Sequence, residues 1–176
     1  MLIETLNLMI ASGALVMLVA LAVLSLDLFF TQGKHLANNL APYALYGILA
    51  LTLSGTAMSL FYSEVLGFIP CALCWLQRVF LYPQALMAAG SAWWKDSAML
   101  PRYGILLSIA GLLVSLYQYV YQMLPQGSLP CPASGTIDCL DKVINEFGFM
   151  TFPLVSAITF VFLIVLYILF SKTRTS

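Results

Sequence analysis

Two pairs of cysteines hold the reactive chemistry of this 176-residue chain. The first pair stands in Pro70-Cys71-Ala72-Leu73-Cys74-Trp75-Leu76-Gln77-Arg78. A gap of two residues permits a strained, readily exchanged disulfide. An apolar run begins at the same point, so the thiols sit at a helix N-terminus, whose unpaired N–H groups carry about half a positive charge. That partial charge stabilises a thiolate. Arg78 follows Cys74 by one turn on the same helix face, roughly 6 Å further along the axis. A thiolate with a guanidinium beneath it suits an electron-accepting ligand whose oxygens become anionic on reduction, and Gln77 could donate a further hydrogen bond to it.

The second pair lies in Pro130-Cys131-Pro132-Ala133-Ser134-Gly135-Thr136-Ile137-Asp138-Cys139. Pro, Ser, Gly and Thr mark a loop in which two sulfurs can meet without regular structure. Alone, such a pair reads as a static staple; beside a CxxC in another loop it reads as half of an exchange system. Zinc is the competing chemistry for four cysteines. Structural zinc sites favour two short spacings of two to four residues, whereas seven residues separate Cys131 from Cys139. No metal site is therefore expected.

The elements that position these residues must be membrane helices. Hydrophobic residues make up 62% of the chain and charged ones 8%, against about 25% charged in soluble domains. A globule of this size could not hide that apolar surface from water. Seven Lys/Arg balance seven Asp/Glu, so there is no basic field to recruit nucleic acid. Uncharged stretches long enough to span lipid fall at about 8–30, 43–62, 74–94, 103–123 and 152–171, with loops at about 63–73 and 124–151. The expected architecture is a single all-α integral membrane domain: a four-helix transmembrane bundle preceded by one extra N-terminal transmembrane helix. That first segment carries Glu4 instead of a basic flank and is too long for a signal-peptide core, so it reads as retained.

Orientation follows from the basic residues in short loops. Lys34, Lys95, Arg102, Lys172 and Arg174 fall on one side; Lys142 and the boundary residue Arg78 fall on the other. The first side is predicted to be cytoplasmic, with the N-terminus and all four cysteines external, where disulfides persist. After Cys139, Leu140, Val143, Ile144 and Phe147 recur at helical spacing, which predicts a short amphipathic helix lying on the outer surface. His35 reads as a solvated loop residue and Asp27 as an interfacial one. Pro83 falls inside the third span, where lipid-embedded bundles tolerate it. Gln118, Tyr119, Tyr121 and Gln122, near the outer end of the fourth span, could face a ligand, although tyrosines there are more often belt residues.

The run from Pro70 to Arg78 resembles the signature of the DsbB/BdbC family of membrane thiol:quinone oxidoreductases. The stretch from Asp138-Cys139 through Phe147-Gly148-Phe149, Thr151 and Pro153 resembles that family's second-loop pattern, and the likeness covers about residues 43–172. It implies a bacterial cytoplasmic (inner) membrane protein with a quinone, ubiquinone or menaquinone, near the outer helix ends. It implies that a DsbA-like thioredoxin-fold partner attacks Cys131, that Cys139 is the disulfide mate, and that Cys71 exchanges with that pair. Cys74 would then face the quinone, Arg78 would polarise it, Gln77 would help to hold it, and the quinone pool would lead to the respiratory chain. The first helix lies outside the family's four-helix core, and the short Cys131–Cys139 interval is nearer the BdbC type. The alternative function is a structural, tetraspan-type membrane protein with disulfide-stapled external loops. A small transporter with a metal-binding mouth is less favoured, because the spans lack paired polar groups at mid-membrane.

Overall fold

The computed structural model describes residues 2–30, 39–95, 98–124 and 148–175. Cys131, Cys139, the surface helix expected after Cys139 and the loop carrying His35 lie outside the described residues. Among the described residues there are five long helices and no strand: α1 (Leu2–Phe30), α2 (Ala44–Leu60), α3 (Ala72–Trp94), α4 (Leu100–Met123) and α5 (Phe152–Thr175). Four stretches are long and apolar enough to cross a membrane: Ile3–Asp27, Ala41–Val65, Leu100–Met123 and Phe152–Lys172. α3 is less apolar because it carries Gln77, Arg78 and Gln84. Its 23 residues rise about 34 Å, which also matches a bilayer core. The chain is an all-α, multi-pass membrane protein.

Helices α2 to α5 form a closed ring in which α2 touches α3, α3 touches α4, α4 touches α5 and α5 returns to α2. This is the up-down-up-down bundle of four consecutive antiparallel helices. α1 stands outside the ring and packs on α5 through Ala11, Ala14, Met150 and Ile158. Side chains such as Met9, Val16, Val19, Leu86 and Leu106 point outward and are well exposed, as a lipid-facing surface requires.

The tightest seam is between α4 and α5. Gly104, Ser108, Gly111, Ser115, Gln118 and Gln122 are all buried, spaced three or four residues apart along one face of α4. Small residues let helices approach closely where lipid offers no hydrophobic drive. The ring of Tyr167 lies over Gly104 and that of Phe160 over Gly111, and a Cβ at either glycine would collide with the ring above it. Both rings belong to a core shared with Ala44, Ile48, Ala88 and Leu163. Deep in this core Gln84 accepts hydrogen bonds from Ser108 and Tyr167 at 3.0 Å each, while its own amide donates to the Phe80 carbonyl at 2.8 Å. One glutamine thereby ties α3, α4 and α5 together, just after Pro83, which α3 accommodates without ending.

The local chain path explains how the first cysteines reach the bundle end. α2 runs into a π-helical turn, Phe61–Val65, closed by Leu66 N–H on the Phe61 carbonyl. Gly67 then turns the chain at φ 73°, a conformation that glycine adopts without steric cost. The extended Cys71, at ψ 170°, caps α3 and accepts the first backbone bond from Trp75 at 3.0 Å.

Candidate active site

Cys71 and Cys74 occupy the cap and first turn of α3, with their sulfurs 2.9 Å apart in hydrogen-bond contact. Cys71 is buried and Cys74 half-buried. Across from them, near the end of α4, the amide nitrogen of Gln118 donates to Cys71 Sγ at 3.3 Å and to Cys74 Sγ at 3.4 Å. Its oxygen accepts a 2.7 Å hydrogen bond from Gln77 Nε2. The two amides are oriented so that the Gln118 oxygen takes the Gln77 hydrogen and the Gln118 nitrogen faces the sulfurs. Leu73 and Tyr121 complete a small apolar cluster around Cys71.

Arg78 lies one turn deeper and is 8% exposed. Its Nη2 donates to the Ser59 carbonyl at 2.9 Å, and its guanidinium lies 5.0 Å from the centre of the Trp75 ring. Among the described residues no carboxylate forms an ion pair with it. A buried cation held only by a carbonyl and a π face is costly in a membrane.

Cys74, Gln77, Arg78 and Gln118 all face one cavity of about 810 Å³. Its deeper walls are largely apolar, with Leu51, Met58, Leu81 and Phe160 among the lining. Thr151 also lines it; this residue is fully buried, and among the described residues its hydroxyl has no hydrogen-bond partner. Polar groups thus gather at the cysteine end of a mostly apolar cleft, the usual construction of a small-molecule site. Among the described residues no group of three or more His, Cys, Asp or Glu could hold a metal ion.

Of the residues singled out in the sequence, Cys71, Cys74, Gln77 and Arg78 come together here. Gln77 turns an amide hydrogen to Gln118, so its contact with a ligand would use what remains. Gln118 is a closer neighbour of the sulfurs than its type and place had implied, and Thr151 had not been considered as a site residue. The signal for Gln118 was present as two glutamines, Gln118 and Gln122, one turn apart in an otherwise apolar helix. For Thr151 the one mark was its place in the stretch that resembles the family's second-loop pattern.

Residues 39–170 match the family described as disulfide bond formation protein DsbB. The chain is 37% identical over 119 residues to the probable disulfide formation protein C 1 of Bacillus anthracis, covering 68% of this chain and 85% of that one. It is 34% identical over 121 residues to the disulfide bond formation protein C of Bacillus subtilis, covering 69% and 87%. A probable disulfide formation protein of Chlamydia pneumoniae is 33% identical over 137 residues, covering 78% and 98%. No solved structure matches the chain. A thiol pair capping a membrane helix, a cavity beneath it and these relatives agree: the chain belongs to the DsbB family of membrane disulfide oxidoreductases.

Proposed function

We propose that the chain is a thiol:quinone oxidoreductase of a bacterial cytoplasmic membrane. It reoxidises a DsbA-like thioredoxin-fold protein outside the membrane and passes the electrons to a respiratory quinone, ubiquinone or menaquinone. The observation that carries this reading is the shared position of Cys74, Arg78 and Thr151 at the polar end of one apolar cavity. The residues fit the head of a quinone: among the described residues Arg78 has no carboxylate counter-charge and the buried Thr151 hydroxyl has no partner. The roughly 810 Å³ volume lies within the range of organic ligand sites, about 300–1,000 Å³.

A bound quinone supplies the acceptor for two electrons and two protons. The protein's own groups divide the remaining work. Cys71 and Cys74 release those electrons and protons as their S–S bond forms. Arg78 and Thr151 would hydrogen-bond the ligand's oxygens, and the guanidinium would favour whatever negative charge develops there. Gln118 holds both sulfurs at the cavity rim. Cys131 and Cys139 exchange with the soluble partner and hand its electrons to Cys71. The basic residues Lys34, Lys95, Arg102, Lys172 and Arg174 support an orientation with the cysteines external and the C-terminus cytoplasmic.

The test uses the full-length protein with a reduced thioredoxin-fold substrate and a quinone. Cys74→Ser is expected to abolish quinone reduction while a mixed disulfide between Cys131 and the substrate still accumulates. If Cys74→Ser lowers only thermal stability, the chain is a stapled scaffold instead.

A further inference from the structure

α1 lies outside residues 39–170, the part that matches the family, yet it forms one wall of the cavity. Ile10, Gly13, Ala14 and Met17 line it, at spacings of three, one and three residues, which is one continuous helix face. α1 is held at one end of that face and along its middle. At the cysteine end the hydroxyl of Tyr62 donates to Asn7 Oδ1 at 2.6 Å, tying α1 to the end of α2. Deeper, Ala11 and Ala14 are fully buried against α5. The cavity runs along α2 from Tyr62 to Leu51, about 16 Å of helix. That length exceeds a ring-sized headgroup held at Cys74 and Arg78, and the remainder is apolar. Gly13 stands in the middle of the α1 wall, and a Cβ added there would meet nothing within 4 Å. Gly13 is exposed as well as part of the cavity lining, so the vacancy there lies at the open side of the cavity.

We propose that α1 is the tail-selecting wall of the site. The face formed by Ile10, Gly13, Ala14 and Met17 receives the isoprenoid chain of the acceptor, and the missing side chain at Gly13 admits it. This rests on the quinone reading above and adds to it a residue that decides which quinones bind. A larger side chain at Gly13 extends into the channel without touching the thiols or Arg78. It also replaces a poor helix former with a better one, so α1 is not weakened by propensity.

The test is equilibrium binding, read by quenching of Trp75 in a Trp93→Phe/Trp94→Phe background of the full chain. The probes are two quinones with the same headgroup, one with a single isoprene unit and one with eight. Gly13→Phe is expected to weaken the long-chain ligand at least tenfold and to lower the ratio of long- to short-chain affinity by a similar factor. Leu8→Phe, on the opposite, exposed face of α1 and outside the cavity lining, leaves that ratio unchanged. Gly13→Leu repeats the measurement should the phenylalanine variant fail to fold. An equal loss for both ligands, or no loss for either, overturns the assignment of α1. Failure of the parent protein to bind either quinone overturns the quinone reading itself, and the α1 reading with it.

Discussion

The side-chain amide of Gln118, on α4, donates a hydrogen bond to the sulfur of Cys71, at the cap of α3, at 3.3 Å. Forty-seven residues separate the two in sequence, and the antiparallel α3–α4 pairing brings them together. The same nitrogen reaches Cys74 at 3.4 Å, so one amide serves both thiols.

Gln118→Leu should therefore shift the Cys71/Cys74 couple. A donor to sulfur favours the electron-rich reduced form over the disulfide. One such bond contributes about 1 kcal/mol, which for two electrons is about 20 mV. The variant is expected to have a more negative reduction potential by about that amount, measured by equilibration with a dithiol buffer and alkylation. A potential that is unchanged or more positive would show that the contact does not tune the couple.

Arg78 separates binding from stability. Charge-assisted hydrogen bonds contribute about 1.5–3 kcal/mol, so Arg78→Met should weaken quinone binding by about 10–100-fold. Removing a buried cation that has no carboxylate partner among the described residues should not destabilise the bundle, and a neutral or raised melting temperature is expected. Arg78→Lys should recover only part of the affinity, because an ammonium lacks the planar fork. Quinone titration and thermal melts on the same samples check both halves.

The α4–α5 seam makes the opposite prediction, stability without chemistry. Gly111→Ala sets a methyl group against the Phe160 ring. Overpacking of this kind costs about 1–3 kcal/mol and outweighs the roughly 1 kcal/mol that alanine contributes to helix propensity. Phe160→Leu in the same chain should restore part of the loss, and a double-mutant cycle from denaturant titrations in detergent measures the coupling. Additive losses would mean that the two positions are independent.

Gln84→Leu tests the buried polar node. It leaves the Ser108 and Tyr167 hydroxyls without their shared acceptor, inside helices that offer no water. Interhelical hydrogen bonds in membranes contribute about 0.6–2 kcal/mol each, so a loss of about 1–3 kcal/mol is expected by the same titration. Adding Tyr167→Phe to the variant should then cost little more, because the hydroxyl has already lost its partner.

The all-α class, the extra first helix and the meeting of Cys71, Cys74, Gln77 and Arg78 were legible in the sequence, for one reason. Charge is so scarce in this chain that each charged or thiol residue marks a helix end or a site. The partners from other helices were less legible. Gln118 reaches the sulfurs through the register of the α3–α4 pairing, and helix register is not written in hydropathy. Gly13 carries no signal of its own and Thr151 only its place in the family-like stretch, since a small residue becomes part of a cavity wall only once its neighbours are placed. The exchange assigned to Cys131 and Cys139 concerns residues outside the described ones and stands on the sequence pattern.

The most direct measurement is a single turnover without the soluble partner. A Cys131→Ser/Cys139→Ser chain, reduced at Cys71 and Cys74 and freed of reductant, is mixed anaerobically with excess quinone while the quinone absorbance is followed. The account predicts that one quinone is reduced per chain as one Cys71–Cys74 disulfide forms, and that none is reduced when Cys74 is also serine. Unchanged absorbance with both a benzoquinone and a naphthoquinone, while the two thiols stay reduced, would contradict it.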